Sequence, residues 1–449
     1  MFGKYDKKDL KTVMTMAFPA IVEYGFVALV SLVDSFMVST TGADSVAAVG
    51  LTTQPRLVFM SLFLALNVAI SAFTARRYGE KKRDDANTIV LTSIIIITLL
   101  SLVATAIAII WAPQILMLCG ATSETIEKST VYYRILMSGI IFINLGGAVN
   151  SAQRGSGNTR ITMKTNIVSN IVNVIFNFLL INGYLGFPKM GVAGAAVATV
   201  LGAAVACIMS FMSISKISTF ISIPYIVYNK IKPSISSMIS LIKFGSNIFL
   251  EQILMRFGFM ATAIMAAKQG TAPMAAHQVC MNILTLSFSL GDGMQATAIA
   301  LIGKSLGESK PEKAKSYGKC CQMVGFIMCA VMAILFFFGS ELIMSAFFKE
   351  AEIIEIGTDL MMIVILVVLF QVRQVIYNGS LKAAGDTVYT TVCSCACVTV
   401  MRPIISYLGA YALGFGIVGV WFGIVADQAV RYVLYMLRFK SGKWTKIKI

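Results

Sequence analysis

The chain of 449 residues is 57% hydrophobic and 13% charged, where soluble domains run at roughly 45–50% apolar and about 25% charged. This excludes a disordered chain and a soluble globular one. The net charge of +16 is scattered through short loops rather than gathered into a nucleic-acid-binding patch, and a single histidine argues against a His-built metal centre or a histidine base.

A membrane-crossing helix needs about 20 mostly apolar residues. The first such run, 14–38, follows the basic stretch from Lys4 to Lys11; it contains Pro19 and no small-residue cleavage site, so it reads as a span and not a signal peptide. Runs at 48–75, 88–112, 131–152, 165–183 and 191–215 complete a first set of six. A second six lies at 244–267, 273–302, 320–340, 356–380, 387–412 and 417–438. The stretch between the sets, with Pro224 and Pro233, reads as a linker. The expected fold is an all-α polytopic membrane protein with 12 transmembrane helices in two parallel-repeat six-helix lobes. Its parts are an amino-terminal lobe 1–215, a cytoplasmic linker 216–243, and a carboxy-terminal lobe with a basic tail 244–449.

With twelve spans, 27 of the 37 Lys and Arg residues fall on one side, among them Arg76, Arg77, Lys81, Lys82 and Arg83. Only Lys128, Lys189, Lys268 and Lys349 fall on the other, and six arginines lie within spans. The positive-inside rule then places both termini in the cytoplasm. The halves match at an offset of 228: Gly42 falls on Gly270, Gly79-Glu80 on Gly307-Glu308, and Arg154, Gly157 and Thr159 on Lys382, Gly385 and Thr387. An even number of spans per half makes the repeat parallel, the arrangement of paired lobes that suits alternating access. Nine cysteines lie mostly in apolar runs, including Cys119, Cys207, Cys280 and Cys329, and read as buried thiols; Cys393, Cys395 and Cys397 alternate and do not share a helix face.

Charges inside spans are costly and usually face a cavity or a partner. Asp34 lies fifteen residues beyond Pro19 with no basic residue one turn away. It carries a proton, binds a cation, or is a buried structural acid. Asn173 and Asn177 are four apart and share a helix face, as cation ligands or as interhelical hydrogen-bond groups. Glu251 and Arg256 are five apart, about 140° around a helix. That makes them a poor pair and leaves an Arg256–Asp292 bridge as an expectation, with Glu251 available for function. Asp427 and Arg431, four apart, read as a structural pair, and His277 as a packing residue.

The motifs resemble the multidrug and toxic compound extrusion (MATE) transporters. They are Val33-Asp34-Ser35-Phe36-Met37 with Gly42 and Ala47-Ala48-Val49-Gly50; Gln153-Arg154-Gly155-Ser156-Gly157-Asn158-Thr159; Ala275-Ala276-His277-Gln278 with Gly303-Lys304-Ser305-Leu306-Gly307; and Gly379-Ser380-Leu381-Lys382-Ala383-Ala384-Gly385-Asp386-Thr387. The resemblance implies two six-helix lobes that export organic cations in exchange for protons or sodium, without a catalytic centre, a cofactor or a nucleic-acid partner, from a monomer in the cell membrane. It implies coupling roles for Asp34, Asn173, Asn177, Thr199 and Glu251, and a bend at Pro19. The acid that accompanies Glu251 in the family is replaced by Gln371, with Asp292 as a compensating acid. Gln278, Asp292, Gln371 and Pro19 are therefore substrate or gating candidates, proton coupling through Asp34 is favoured, and sodium at Asp34 or Glu251 is the alternative. A lipid-linked saccharide flippase of the same superfamily is the runner-up reading, kept open by Arg256, Arg373 and Arg402.

Overall fold

The computed structural model describes residues 6–39, 43–123 and 125–447, so Gly42 of the repeat lies outside the described residues. Every regular element among them is helical. The first half forms α1 (Lys7–Ser39), α2 (Ala43–Gly79), α3 (Arg83–Ile110), α4 (Ala112–Leu118), α5 (Ile126–Ser138), α6 (Ile140–Gly155), α7 (Thr159–Asn182) and α8 (Val192–Ser213). A short α9 (Ile223–Tyr228) leads into α10 (Ile235–Ala267), α11 (Thr271–Gly307), α12 (Pro311–Phe347) and α13 (Ala351–Ala384). The chain closes with α14 (Thr387–Ser394), α15 (Arg402–Tyr407) and α16 (Gly416–Ser441).

Eleven helical stretches among the described residues are long and apolar enough to cross a membrane. The twelfth expected span, α11, has the length with 37 residues but carries His277, Gln278, Asn282, Asp292 and Gln295. All-helical spans follow from the solvent: lipid offers no hydrogen bonds, so each backbone amide must be paired within its own segment. Two spans depart from the expected single helices. The run 131–152 is split into α5 and α6 at Gly139, where a Cβ would collide with the Val200 side chain of α8. The run 387–412 is continuous, but its turns widen into π-helix over Cys395–Met401 and Leu408–Ala412 on either side of α15. Pro403, at the start of α15, has no N–H with which to close an ordinary turn.

The chain divides into two compact units, but not at the expected boundaries. One comprises Gly25–Ser246; the other joins the residues up to Tyr24 to those from Asn247 onward. The cut therefore runs through α1 and through its repeat counterpart α10. The physical reason for the first exchange is close backbone packing: a Cβ on Gly293 of α11 would stand 2.9 Å from Ala20 O and Ile21 N of α1. Nearby, the Ser316 hydroxyl donates to Asp9 at 2.6 Å. The segment expected as the linker, 216–243, lies within the Gly25–Ser246 unit. Arg83 donates to Phe220 O at 3.2 Å and Thr219 O at 2.7 Å, and its guanidinium lies 3.7 Å from the centre of the Tyr225 ring. Asn87 donates to Phe220 O and accepts from Ser222 N at 2.9 Å, and the Tyr225 hydroxyl donates to Asp84 at 2.7 Å.

Candidate functional site

Within the Gly25–Ser246 unit, α1, α7 and α8 bring Asp34, Asn173, Asn177 and Thr199 into one hydrogen-bonded cluster. The Asn177 amide nitrogen donates to Asp34 Oδ1 at 2.7 Å. The Asn173 amide is assigned with its nitrogen toward the carboxylate, which satisfies both of its ends. It then donates to Asp34 Oδ1 at 2.9 Å and Oδ2 at 3.1 Å, while its oxygen accepts from Thr199 Oγ1 at 3.3 Å. Gly202 permits this meeting of α7 and α8. A Cβ there would stand 2.8 Å from Ser169 O and 3.1 Å from Asn173 Cβ, and the Ser169 hydroxyl donates to Gly202 O. Both asparagines are buried, Asp34 is half-buried, and Asn177 Oδ1 is buried without a partner. Arg56 of α2 acts on the Asp34 carboxylate through space without an ion pair between them. That basic neighbour was invisible in the sequence, since it comes from the next helix and not from the adjacent turn.

The other unit holds a second acid with a different environment. Glu251 on α10 is 1% exposed and faces Lys382 of α13, itself 4% exposed, with Lys382 Nζ 2.9 Å from Glu251 Oε2. That approach is ionic and lies off the direction of a well-formed hydrogen bond. The Ser394 hydroxyl donates to Glu251 Oε1 at 2.8 Å, and the Asn378 amide, one turn before Lys382, reaches the same oxygen at 3.4 Å. Ser394 in turn shares a 2.6 Å hydrogen bond with the Tyr435 hydroxyl of α16, which lies 3.0 Å from Thr390 O. The expectation of a Glu251 left unpaired beside an Arg256–Asp292 bridge is corrected: the cation at Glu251 is Lys382, and no Arg256–Asp292 ion pair forms among the described residues. Arg256, five residues on, points from another side of α10.

The remaining candidates lie apart from these clusters. Gln371 is fully buried on α13, two turns before Asn378, and neither of its amide atoms has a partner among the described residues. Gln278 is exposed on α11, and Pro19 sits inside a continuous α1. Asp427 and Arg431 pair as expected, with Arg431 Nε 3.2 Å from Asp427 Oδ1, and Arg402 joins them at 3.2 Å from Oδ2. Arg373 is spent on aromatic faces, 4.6 Å from the Tyr432 ring and 5.6 Å from the Phe326 ring. His277 packs edge-on against Trp421 at 5.6 Å. Cys119 is exposed where a buried thiol was expected, because the chain leaves α4 at that residue.

The repeat arithmetic separates the two acids further. At the offset of 228, Glu251, Asn378 and Lys382 fall on Glu23, Asn150 and Arg154, whereas Asp34 falls on Thr262 and Asn177 on Ile405. Each half thus carries its own acid, amide and cation at matching positions. The cluster around Asp34 belongs to the first half alone.

A family model, MatE, matches residues 19–179 and again 248–408, most of the chain and once per repeat. The chain belongs to the MatE family. Members of this family are transporters and not enzymes, and this one is a multi-pass membrane protein. Among its relatives is the "Probable multidrug resistance protein NorM" of Thermotoga maritima, 23% identical over 436 residues, 97% of this chain and 93% of the relative. The "Probable multidrug resistance protein YoeA" of Bacillus subtilis is 26% identical over 414 residues, 90% of this chain and 89% of the relative. Of the solved structures, one described as the outward-facing conformation of a multidrug resistance MATE family transporter superposes with a TM-score of 0.89 at 21% identity, covering 98% of this chain and 100% of that one. A MOP superfamily transporter from Pyrococcus furiosus, described as having a binding pocket of reverse polarity that suggests a different function, superposes at 0.88 with 22% identity, covering 98% of both chains. These likenesses show that the MatE transporter shares their fold.

Proposed function

We propose that this MatE transporter exports small organic cations and cationic drugs by alternating access, with a proton exchanged at Asp34. The observation that carries the reading is the composition of the Asp34 cluster. The carboxylate is held by two neutral amides at 2.7–3.1 Å and makes no ion pair among the described residues. A carboxylate in an apolar span keeps its charge only at a cost, so a proton and an organic cation compete for it. Charged, Asp34 attracts the drug; protonated, it lets the drug go, and its new O–H needs an acceptor. The unpartnered Asn177 Oδ1 supplies one when that amide turns over. Affinity for the two states then differs through one charge, the requirement for driving a two-state cycle. Relatives named as multidrug resistance proteins support the substrate class. The basic loops support both termini in the cytoplasm of a cell-membrane protein.

Sodium at Asp34 or Glu251 is the alternative coupling, with Asp292 as the compensating acid where Gln371 replaces the family's partner acid. A lipid-linked saccharide substrate is the second reading, favoured by Arg256 alone, which has no carboxylate partner among the described residues; Arg373 and Arg402 are already engaged. Ethidium accumulation in cells that lack their own efflux pumps separates them. Expression of this chain is expected to lower accumulation, and Asp34→Asn to restore it. Unchanged accumulation with the folded protein present in the membrane would discard the cationic-drug reading.

A further inference from the structure

We propose that the Lys382 ammonium is a resident cation of the second unit, occupying a carboxylate cradle that would otherwise take a monovalent metal ion, so that Lys382 determines which ion this transporter can exchange. The inference deepens the reading given above, since it confines exchange to Asp34. The cradle is a built site. Glu251 presents two oxygens, Ser394 and Asn378 orient the first of them at 2.8 and 3.4 Å, and Lys382 Nζ sits 2.9 Å from the second. Asn378 Oδ1 is buried beside it with no partner, an oxygen the ammonium leaves unused.

A sodium ion and an alkylammonium carry the same charge and both require a shell of oxygens, so a tethered ammonium competes for such a cradle at very high effective concentration. Here the tether is short: Lys382 lies one turn after Asn378 on the same face of α13. The other half of the chain repeats the device in sequence, with Arg154 at the position of Lys382 and Glu23 at the position of Glu251. The positions of acid, amide and cation are therefore repeated in sequence, whereas Asp34 has no acid at its matching position in the second half.

The test is sodium binding by the purified full-length protein in detergent, read as thermal stability while sodium replaces potassium at constant chloride. The background is Asp34→Asn, so that the first cluster makes no contribution. With Lys382 present, Tm is expected to be indifferent to the exchange. In Lys382→Met, sodium is expected to raise Tm by several degrees in a saturable way, and the rise is expected to vanish in Lys382→Met/Glu251→Gln. Removing one partner of a buried pair is destabilising, so Lys382→Gln serves as a milder second variant, and rescue of either variant by sodium during purification counts as the expected result. A saturable sodium response in the lysine-containing protein that Glu251→Gln abolishes would overturn the proposal. So would variants that lack any sodium response, or that fail to fold in sodium while Lys382→Met/Glu251→Gln folds. None of these readouts depends on transport, so the proposal can fail while drug export stands, and the reverse.

Discussion

At the level of single residues, the two acids differ in what answers their charge. Asp34 is held by amides and Glu251 by a lysine ammonium. A hydrogen bond to a charged group contributes about 1.5–3 kcal/mol, or roughly 10- to 150-fold in an equilibrium. Asn177→Ala, which removes the 2.7 Å bond, is expected to lower ethidium export at a fixed proton gradient by a factor in that range. Tm should fall as well, since Asn177 is buried and its loss leaves the Asp34 carboxylate one donor short; export unchanged from the parent would refute the role given to this amide. Asp34 was legible in the sequence because an acid stands out in an apolar run, and Asn173 and Asn177 were legible from their spacing of four. Arg56 and Lys382 were not. Both come from other helices, and Lys382 stood at a span's end among basic loop residues, where nothing local shows that α13 carries it to Glu251.

At the level of elements, small residues decide which helices meet. Gly202 lets α8 lie against α7 at Asn173, whereas nothing stands within 4 Å of a Cβ built on Gly50. Overpacking typically costs about 1–3 kcal/mol. Gly202→Ala is therefore expected to lower both Tm and export, and Gly50→Ala to change neither; equal effects from the two would contradict the packing account. The segment after α8 offers a second check. Arg83→Ala removes the anchor of residues 217–225, and limited trypsin digestion is expected to cut faster at Lys216, Lys230 and Lys232 than in the parent. An unchanged digestion rate would mean that the other contacts hold this segment alone. The spans themselves were readable from apolar length. The break at Gly139 and the π-helical turns around α15 were not, because the apolar pattern records neither the Val200 side chain packed against Gly139 nor the N–H that Pro403 lacks.

At the level of the whole molecule, the repeat was visible as one constant offset, and it extends to the acid–amide–cation set in each half. What the apolar pattern could not show is that the compact units exchange the starts of α1 and α10, since hydropathy records span lengths and not which helix a span packs against. Orientation gives a prediction with a natural reporter. Cys119 is the exposed cysteine among nine, and it follows the third span, where a chain with a cytoplasmic start emerges on the outside. A membrane-impermeant maleimide is expected to label intact cells and to lose its target in Cys119→Ser; labelling only after permeabilisation would invert the topology.

The central claim, that a cationic drug and a proton exchange at Asp34, is tested most directly in proteoliposomes. Ethidium movement would be measured under an imposed pH gradient and then under a sodium gradient, with Asp34→Asn alongside the parent protein. Movement driven by the pH gradient is expected, with none driven by sodium alone and loss of the pH-driven movement in Asp34→Asn. Sodium-driven movement that survives Asp34→Asn would contradict it.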